Sequence, residues 1–210
     1  MIIAIDGPAG AGKSTVAKRV AERLGFRYLD TGAMYRALAL LAVEQDVSRD
    51  DGEALADLAR ANPATVEPGH VLVGERDVTK EIRTVEIDRV VSSVARHPEV
   101  REVLRARQRA LAADGDAVME GRDIGTVVCP DAEVKVFLTA DTAERARRRT
   151  DDRPGLGVDA LATDLEARDA RDAGQMRAAD DAEEIDTTNL SIEEVVDHIA
   201  ELALAREAKA

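Results

Sequence analysis

The sequence predicts an α/β fold with a mostly parallel sheet covered by helices on both faces, and three observations predict it. Short apolar runs alternate with amphipathic helical patterns over most of the chain. The first run, Ile2, Ile3, Ala4 and Ile5, feeds a glycine-rich turn that reads Gly7-x-x-x-x-Gly12-Lys13-Ser14. A helical pattern starts directly after that turn, so the motif has a strand before it and a helix after it.

The core strands are expected at residues 2–6, 27–30, 117–120, 133–138 and 184–186. Helices are expected after the glycine-rich turn, around 34–45, around 99–113 and from 142 onward. A last helix opens at Ser191, with Glu194 three residues on as a capping box, and runs towards Ala208. In such a sheet ligands bind at the carboxyl ends of the strands. Two segments break the alternation. Residues 65–83 read as a small antiparallel piece, with Val71, Leu72 and Val73, a turn at Gly74, then Asp77 and Val78. Residues 151–157, DDRPGLG, read as a turn-rich break between charged helices at 144–149 and 160–171, and so as a mobile lid.

The 210 residues fit a single domain with a substantial core, without internal repeats or a long linker. Asp and Glu number 42 against 29 Lys and Arg, a net charge of −13, which argues against nucleic acid or an anionic membrane as partner. The acidity is spread along the chain as a solubility-favouring surface. Cys129 is the sole cysteine, so no intramolecular disulfide can form and a reducing cytoplasm is expected; within VVCPDA it reads as a small buried residue. His70, His97 and His198 show no metal-ligand spacing. No leader pattern opens the chain and no apolar run approaches ~18 residues, so a soluble protein is expected. Trp is absent and Tyr and Phe number two each. A nucleobase would therefore be read by polar edge contacts or Arg stacking.

The motif at 7–14 is a phosphate-binding loop. Gly7, Pro8, Ala9, Gly10, Ala11, Gly12, Lys13, Ser14 and Thr15 are the expected nucleoside triphosphate site. Backbone N–H groups converge on phosphate there, and a helix N-terminus adds its dipole. Lys13 can reach the outer phosphates, and the Ser14 hydroxyl suits Mg²⁺. At the second strand's end, Asp30 or Thr31 can cap the next helix, with Arg36 further along it. A hydroxyl, a helix N-terminus and an Arg make a second anion site, although an N-cap beside a solvated Arg would use the same residues.

The third strand ends in Glu120, Gly121, Arg122 and Asp123. Glu120 can contact Mg²⁺ through water, Arg122 can bind phosphate, and Asp123 can accept from a cytosine N4–H₂ while repelling uracil O4. A turn held by its own ion pair is the alternative. Asp141 and Glu144 resemble a capping box ahead of Arg145, Arg147, Arg148, Arg149 and Arg153. These arginines are either a solvated face or a lid that neutralises phosphoryl charge. Arg168, Asp169 and Asp172 share one helix face, as a ribose contact or an intrahelical charge network.

Together these residues resemble the bacterial cytidylate kinase (CMP/dCMP kinase) family. The matching pieces are DGPAGAGKST, YLDTGAMYRALAL, DVTKEIRT, VSSVARHPEVR, EGRDIGTVVCPDA with VKVFLTA, RARRR, RDARD and IDTT. They run from the first strand to near Ser191; GRDIGTVV and LDTGAMYR are specific to the family, whereas the phosphate loop is not. The resemblance implies a P-loop kinase with a five-stranded parallel sheet of order 2-3-1-4-5, a small antiparallel insert and a lid. It implies one kinase domain over 1–210, a monophosphate-binding subdomain over 36–105 that includes the insert 65–83, and a lid region over 145–172. Thr31 and Arg36 would meet the monophosphate side; Ser92, Arg101 and Asp123 would read cytosine; Arg122 would bind phosphate; Arg168 and Asp172 would approach the pentose. ATP and Mg²⁺ are the expected donor and cofactor, CMP or dCMP the acceptor, and a cytoplasmic monomer the expected form. One departure stands out. Gln175 occupies a position where many members carry Arg, and the stretch up to Ile185 is about four residues shorter; Arg177 is the alternative cation.

The expected chemistry is transfer of the ATP γ-phosphoryl group to a nucleoside monophosphate. The attacking group is a phosphate oxygen with a second pKa of about 6, so no Ser-His-Asp type base is needed. Lys13, Mg²⁺ on Ser14 and Glu120, and lid arginines, Arg148 and Arg122 with them, would supply positioning and charge. Another small-acceptor kinase, for uridylate, thymidylate, shikimate or a coenzyme precursor, would share the donor half. A GTPase switch would need an Asn-Lys-x-Asp motif, and the only asparagines are Asn62 and Asn189. A non-catalytic ATP switch would leave Arg36, Arg101 and Asp123 without a task.

Overall fold

A computed structural model describes residues 1–67, 69–152, 155 and 157–208. In chain order its strands are β1 (Ile2–Asp6), β2 (Arg27–Asp30), β3 (Ala64–Glu67), β4 (His70–Val73), β5 (Arg76–Asp77), β6 (Ala117–Glu120), β7 (Val134–Thr139) and β8 (Glu183–Asp186). The helices are α1 (Lys13–Leu24), α2 (Thr31–Glu44), α3 (Gly52–Ala61), α4 (Val85–Ala95), α5 (Pro98–Ala112), α6 (Thr142–Asp152), α7 (Val158–Asp172) and α8 (Ile192–Glu207). The chain forms two compact units, residues 1–28 with 115–210, and residues 29–114.

β1 is the middle strand of a five-stranded sheet ordered β2-β6-β1-β7-β8. It pairs in parallel with β6, Ile5 opposite Glu120, and with β7, Asp6 opposite Phe137; β7 pairs in parallel with β8. The labels differ from the expected 2-3-1-4-5 because the three insert strands take the numbers β3 to β5. Ile3, Ile5, Val118, Val136 and Leu138 of the sheet pack with Val16 and Val20 of α1 and Val196 and Ile199 of α8. Burial on both faces explains why these strands read as unbroken apolar runs rather than alternating ones. The Ser191–Glu194 capping box is formed at the start of α8.

The second unit holds a separate core. Met34, Leu38 and Leu41 of α2 pack with Leu55 and Leu58 of α3, Ile82, and Ile87, Val91 and Val94 of α4. Its antiparallel sheet, ordered β3-β4-β5, lies within the 65–83 region apart from its first residue, Ala64. Val78, beyond β5, returns to the sheet by donating its N–H to Val71 O at 2.8 Å.

Several boundaries move. α2 starts at Thr31 rather than 34, because Asp30 caps it by accepting from Ala33 N at 2.9 Å. α3 and α4 were not expected, yet each carries a cap in its sequence: Asp51 accepts from Ala54 N and Thr84 from Ile87 N. Glu144 does not complete a capping box with Asp141. It pairs with Arg147 and Arg148, and Asp141 N donates to Thr188 Oγ1 instead. Cys129 is half-buried rather than buried. Of the break at 151–157, Arg153 and its neighbours Pro154 and Leu156 lie outside the described residues. Among the described residues no helix is long and apolar enough to cross a membrane.

Candidate active site

At the carboxyl end of β1 the chain turns sharply into the loop 7–12. Gly7 has φ +141°, and a Cβ there would lie 2.1 Å from Leu138 O, so only glycine lets the loop leave the sheet this way. Gly12, also left-handed, precedes α1, whose free N–H groups and dipole open towards the loop. Thr187, following β8, braces the turn with its single hydroxyl proton, shared between Thr139 O at 2.9 Å and Ala11 O at 3.2 Å.

Lys13 is buried, and its ammonium donates to Pro8 O at 2.6 Å. Burial holds its pKa well below the ordinary lysine value, Arg122 and Arg168 push it further down, and Glu120 and Asp6 oppose them. The two guanidiniums thus stand close enough to the buried Lys13 ammonium to disfavour its charge, a repulsion that a bound anion would relieve. Arg122 pairs with Asp172 at 3.2 Å, and Arg168 approaches the same carboxylate at 3.7 Å. Arg122, Arg168 and Asp172 therefore form one network at the loop, and Asp123 is buried beside it. Ser14 and Thr15 are exposed at the first turn of α1. Ser14 donates its hydroxyl to Glu120 at 2.9 Å, and the Tyr28 phenol donates to the carboxylate's other oxygen. Two hard oxygens side by side at a phosphate loop suit Mg²⁺, which takes few protein ligands and fills its shell with phosphate and water.

The arginines of α6 divide by task. Arg145 is buried, donating to Ala9 O at 3.1 Å, to Asp169 at 2.6 Å and to Thr142, so it ties α6 and α7 to the loop. Gly10 leaves room for it, since a Cβ there would meet the Arg145 Cβ at 3.0 Å. Arg147 is exposed and bonded to Glu144. Arg148 donates to Thr187 Oγ1 and Thr187 O, and its guanidinium lies 3.7 Å from where a Gly12 side chain would begin. Of the described α6 arginines named in these contacts, Arg148 is half-buried against the loop.

In the second unit, Thr31 is buried in the first turn of α2. Arg36 of that helix donates to Ile82 O at 3.0 Å and pairs with Asp88. Arg101 of α5 is buried, stacks 5.6 Å over the Tyr35 ring and donates to Ala95 O. The Ser92 hydroxyl on α4 is buried and makes no hydrogen bond among the described residues, an unsatisfied group that a polar ligand edge would complete. Gln175 ends a single 3₁₀ turn at Ala173–Gln175, and Arg177 is exposed with Asp180 as partner.

Asp6, Tyr28, Thr187 and the anchoring role of Arg145 were not foreseen. Asp6 carried the same signal that singled out Glu120, an acid closing an apolar strand. Its carboxylate accepts from Ile124 N and Gly125 N at 2.9 and 2.8 Å. Burial pushes its pKa up to about 6 against those two donors. Its ionisation therefore costs folding stability, progressively from about pH 4 to 6, because the unfolded carboxyl releases its proton first.

A glycine-rich phosphate loop closing the central strand of a five-stranded parallel sheet, with Lys, Ser and Arg around it, defines the class of P-loop kinase-like proteins. The shikimate kinase from Bacteroides thetaiotaomicron shares this fold, with a TM-score of 0.54 at 15% identity, over 97% of this chain and 98% of that one. The family model described as cytidylate kinase matches residues 3–205, and the chain belongs to the cytidylate kinase family. It is 50% identical to the cytidylate kinase of Geobacillus sp. (strain WCH70), over 97% of this chain and 96% of that protein. To the cytidylate kinase of Exiguobacterium sibiricum it is 48% identical, over 96% of both.

Proposed function

We propose that this chain is a nucleoside monophosphate kinase that transfers the γ-phosphoryl group of ATP to CMP or dCMP, giving CDP or dCDP and ADP. The observation that carries the reading is the cluster of Lys13, Arg122 and Arg168 at the phosphate loop, in a chain half identical to proteins named cytidylate kinase over nearly its full length. A phosphate bound there would add to the charge balance that Asp172, Glu120 and Asp6 already offer these cations, and phosphoryl transfer provides one.

In this mechanism the loop 7–15 cradles the ATP phosphates through backbone N–H groups. The Lys13 ammonium leaves Pro8 O for the γ-phosphate, and charge development is met by Arg148 and Arg122. Ser14 and Glu120 would hold Mg²⁺, which when bound neutralises the β- and γ-phosphate oxygens. The acceptor oxygen is already anionic above about pH 6, so the chain contributes position rather than a base. Thr31 and Arg36 receive the acceptor phosphate, and Arg36 exchanges its bond to Ile82 O for the ligand. Ser92, Arg101 and Asp123 read the cytosine edge, and Arg168 with Asp172 orients the pentose. Residues 36–105 form the monophosphate-binding part, and 145–172 a lid that closes on the phosphates and keeps water away. The enzyme works as a cytoplasmic monomer without nucleic-acid or membrane partners.

The test is coupled ADP release across CMP, dCMP, UMP, AMP, dTMP and shikimate. CMP and dCMP should give the highest kcat/KM; an equal or greater rate with shikimate or AMP would refute the acceptor assignment.

A further inference from the structure

Asp6 has no task in the reaction as derived so far, yet it is one of the most deeply held charges of the first unit. It ends β1, immediately before Gly7, and is almost wholly buried. Both carboxylate oxygens accept backbone N–H groups, Oδ1 from Ile124 and Oδ2 from Gly125. These amides open a π-helical turn, Ile124–Val128, that follows directly on Arg122 and Asp123. The turn closes back on itself, since Val127 N and Val128 N donate to Asp123 O, and Gly121 N donates to Ile5 O on the other side. Asp123 thus caps a short, wide turn whose first two amides, Ile124 and Gly125, donate to Asp6. Single π-helical turns are frequent at functional sites.

We infer that Asp6 is a positioning residue for acceptor recognition: by holding the Ile124 and Gly125 amides it fixes the turn that aims Asp123. The inference rests on the proposed reading of Asp123 as the cytosine contact. The same strand delivers Asp6 and the phosphate loop, so one residue fixes the aim of the base reader relative to Gly7. The charges facing Asp6 are Asp123 from the turn, which opposes its ionisation, and Lys13 from α1, which favours it. Ionised Asp6 makes two charge-assisted bonds; protonated Asp6 presents an O–H towards an N–H donor and loses one. Acceptor recognition then weakens as pH falls through about 6, while the backbone contacts of the donor loop, made by other N–H groups, stay in place.

Cytidine as a competitive inhibitor against CMP is the probe, because it carries no phosphate that titrates in the same range. In the wild type, the cytidine inhibition constant, read at saturating ATP, should rise as pH falls from about 7 to 5. In Asp6→Asn, whose amide can accept from one N–H and clashes with the other, the constant should rise about tenfold at pH 7.5 and lose its pH dependence. KM for ATP should stay within about threefold. The amide ¹H–¹⁵N signals of Ile124 and Gly125 should titrate with a midpoint near 6 in the wild type only. Equal losses for cytidine and ATP would make Asp6 a structural staple and overturn the inference. So would a pH-independent cytidine constant in the wild type, which decides the matter even if the variant does not fold. A wild type that phosphorylates no cytidylate would instead refute the proposed function itself.

Discussion

The two units hold their charges by different mixes of backbone and side-chain partners. In the first, the residues of the candidate donor site lean on backbone: Lys13 on Pro8 O, Arg145 on Ala9 O, Arg148 on Thr187 O, Asp6 on two amides. In the second, Arg83 pairs with Asp30 and Arg76 with Glu44, Arg36 divides its donors between Ile82 O and Asp88, and the Ser92 hydroxyl makes no hydrogen bond among the described residues. Backbone partners give a fixed cradle that suits the one shape all nucleoside triphosphates share. Side-chain partners and an unsatisfied hydroxyl give a surface whose contacts can be exchanged for a particular acceptor. On the proposed function, donor recognition would rest on loop geometry and acceptor choice on a few side chains.

The largest break in this comparison is expected from Lys13→Ala. It should lower kcat by ~10²–10³-fold with every acceptor. Calorimetric titration should find CMP affinity little changed; its loss would mean the two sites are not separable. Next comes Asp123→Ala, which should cost roughly 1–3 kcal/mol in kcat/KM for CMP with KM for ATP nearly constant. An unchanged CMP/UMP preference would remove Asp123 from base recognition. Tyr28→Phe leaves Glu120 with one fewer donor and should raise the Mg²⁺ needed for half-maximal stabilisation of the ATP complex by about threefold to tenfold. A thermal-shift titration with Mg²⁺ reads this, and identical curves would count against the Ser14–Glu120 pair as the metal site. The smallest and most diagnostic effect is Ser92→Ala. Removing a buried hydroxyl that bonds nothing among the described residues should leave the melting midpoint the same or slightly higher, a change within about 0.5 kcal/mol, while KM for CMP rises. A marked loss of stability would show that Ser92 serves the fold.

The first unit was far more legible in sequence than the second. Ile2–Asp6 and Ala117–Glu120 are unbroken apolar runs ending in acids, and the motif from Gly7 to Ser14 fixes a turn with a known exit. α3 and α4 were missed although Asp51 and Thr84 cap them. Their buried apolar residues, Leu55, Ala56, Leu58 and Ala59 in α3 and Ile87, Val90, Val91 and Val94 in α4, recur at helical spacing, so both helices were legible in the apolar pattern as well as in their caps. The cluster 145–149 read as one charge run. Nothing in its spacing separates Arg145, buried against Ala9, from Arg147, exposed beside Glu144, because that distinction is made by α7 and the loop across from it. Asp6 was legible in principle but hidden by the motif that follows it.

The account stands most directly on where the γ-phosphoryl group goes. With γ-labelled ATP, Mg²⁺ and CMP, the label should appear in the β-phosphate of CDP at a rate matching ADP release. Label released as inorganic phosphate, with CMP recovered unchanged, would contradict it.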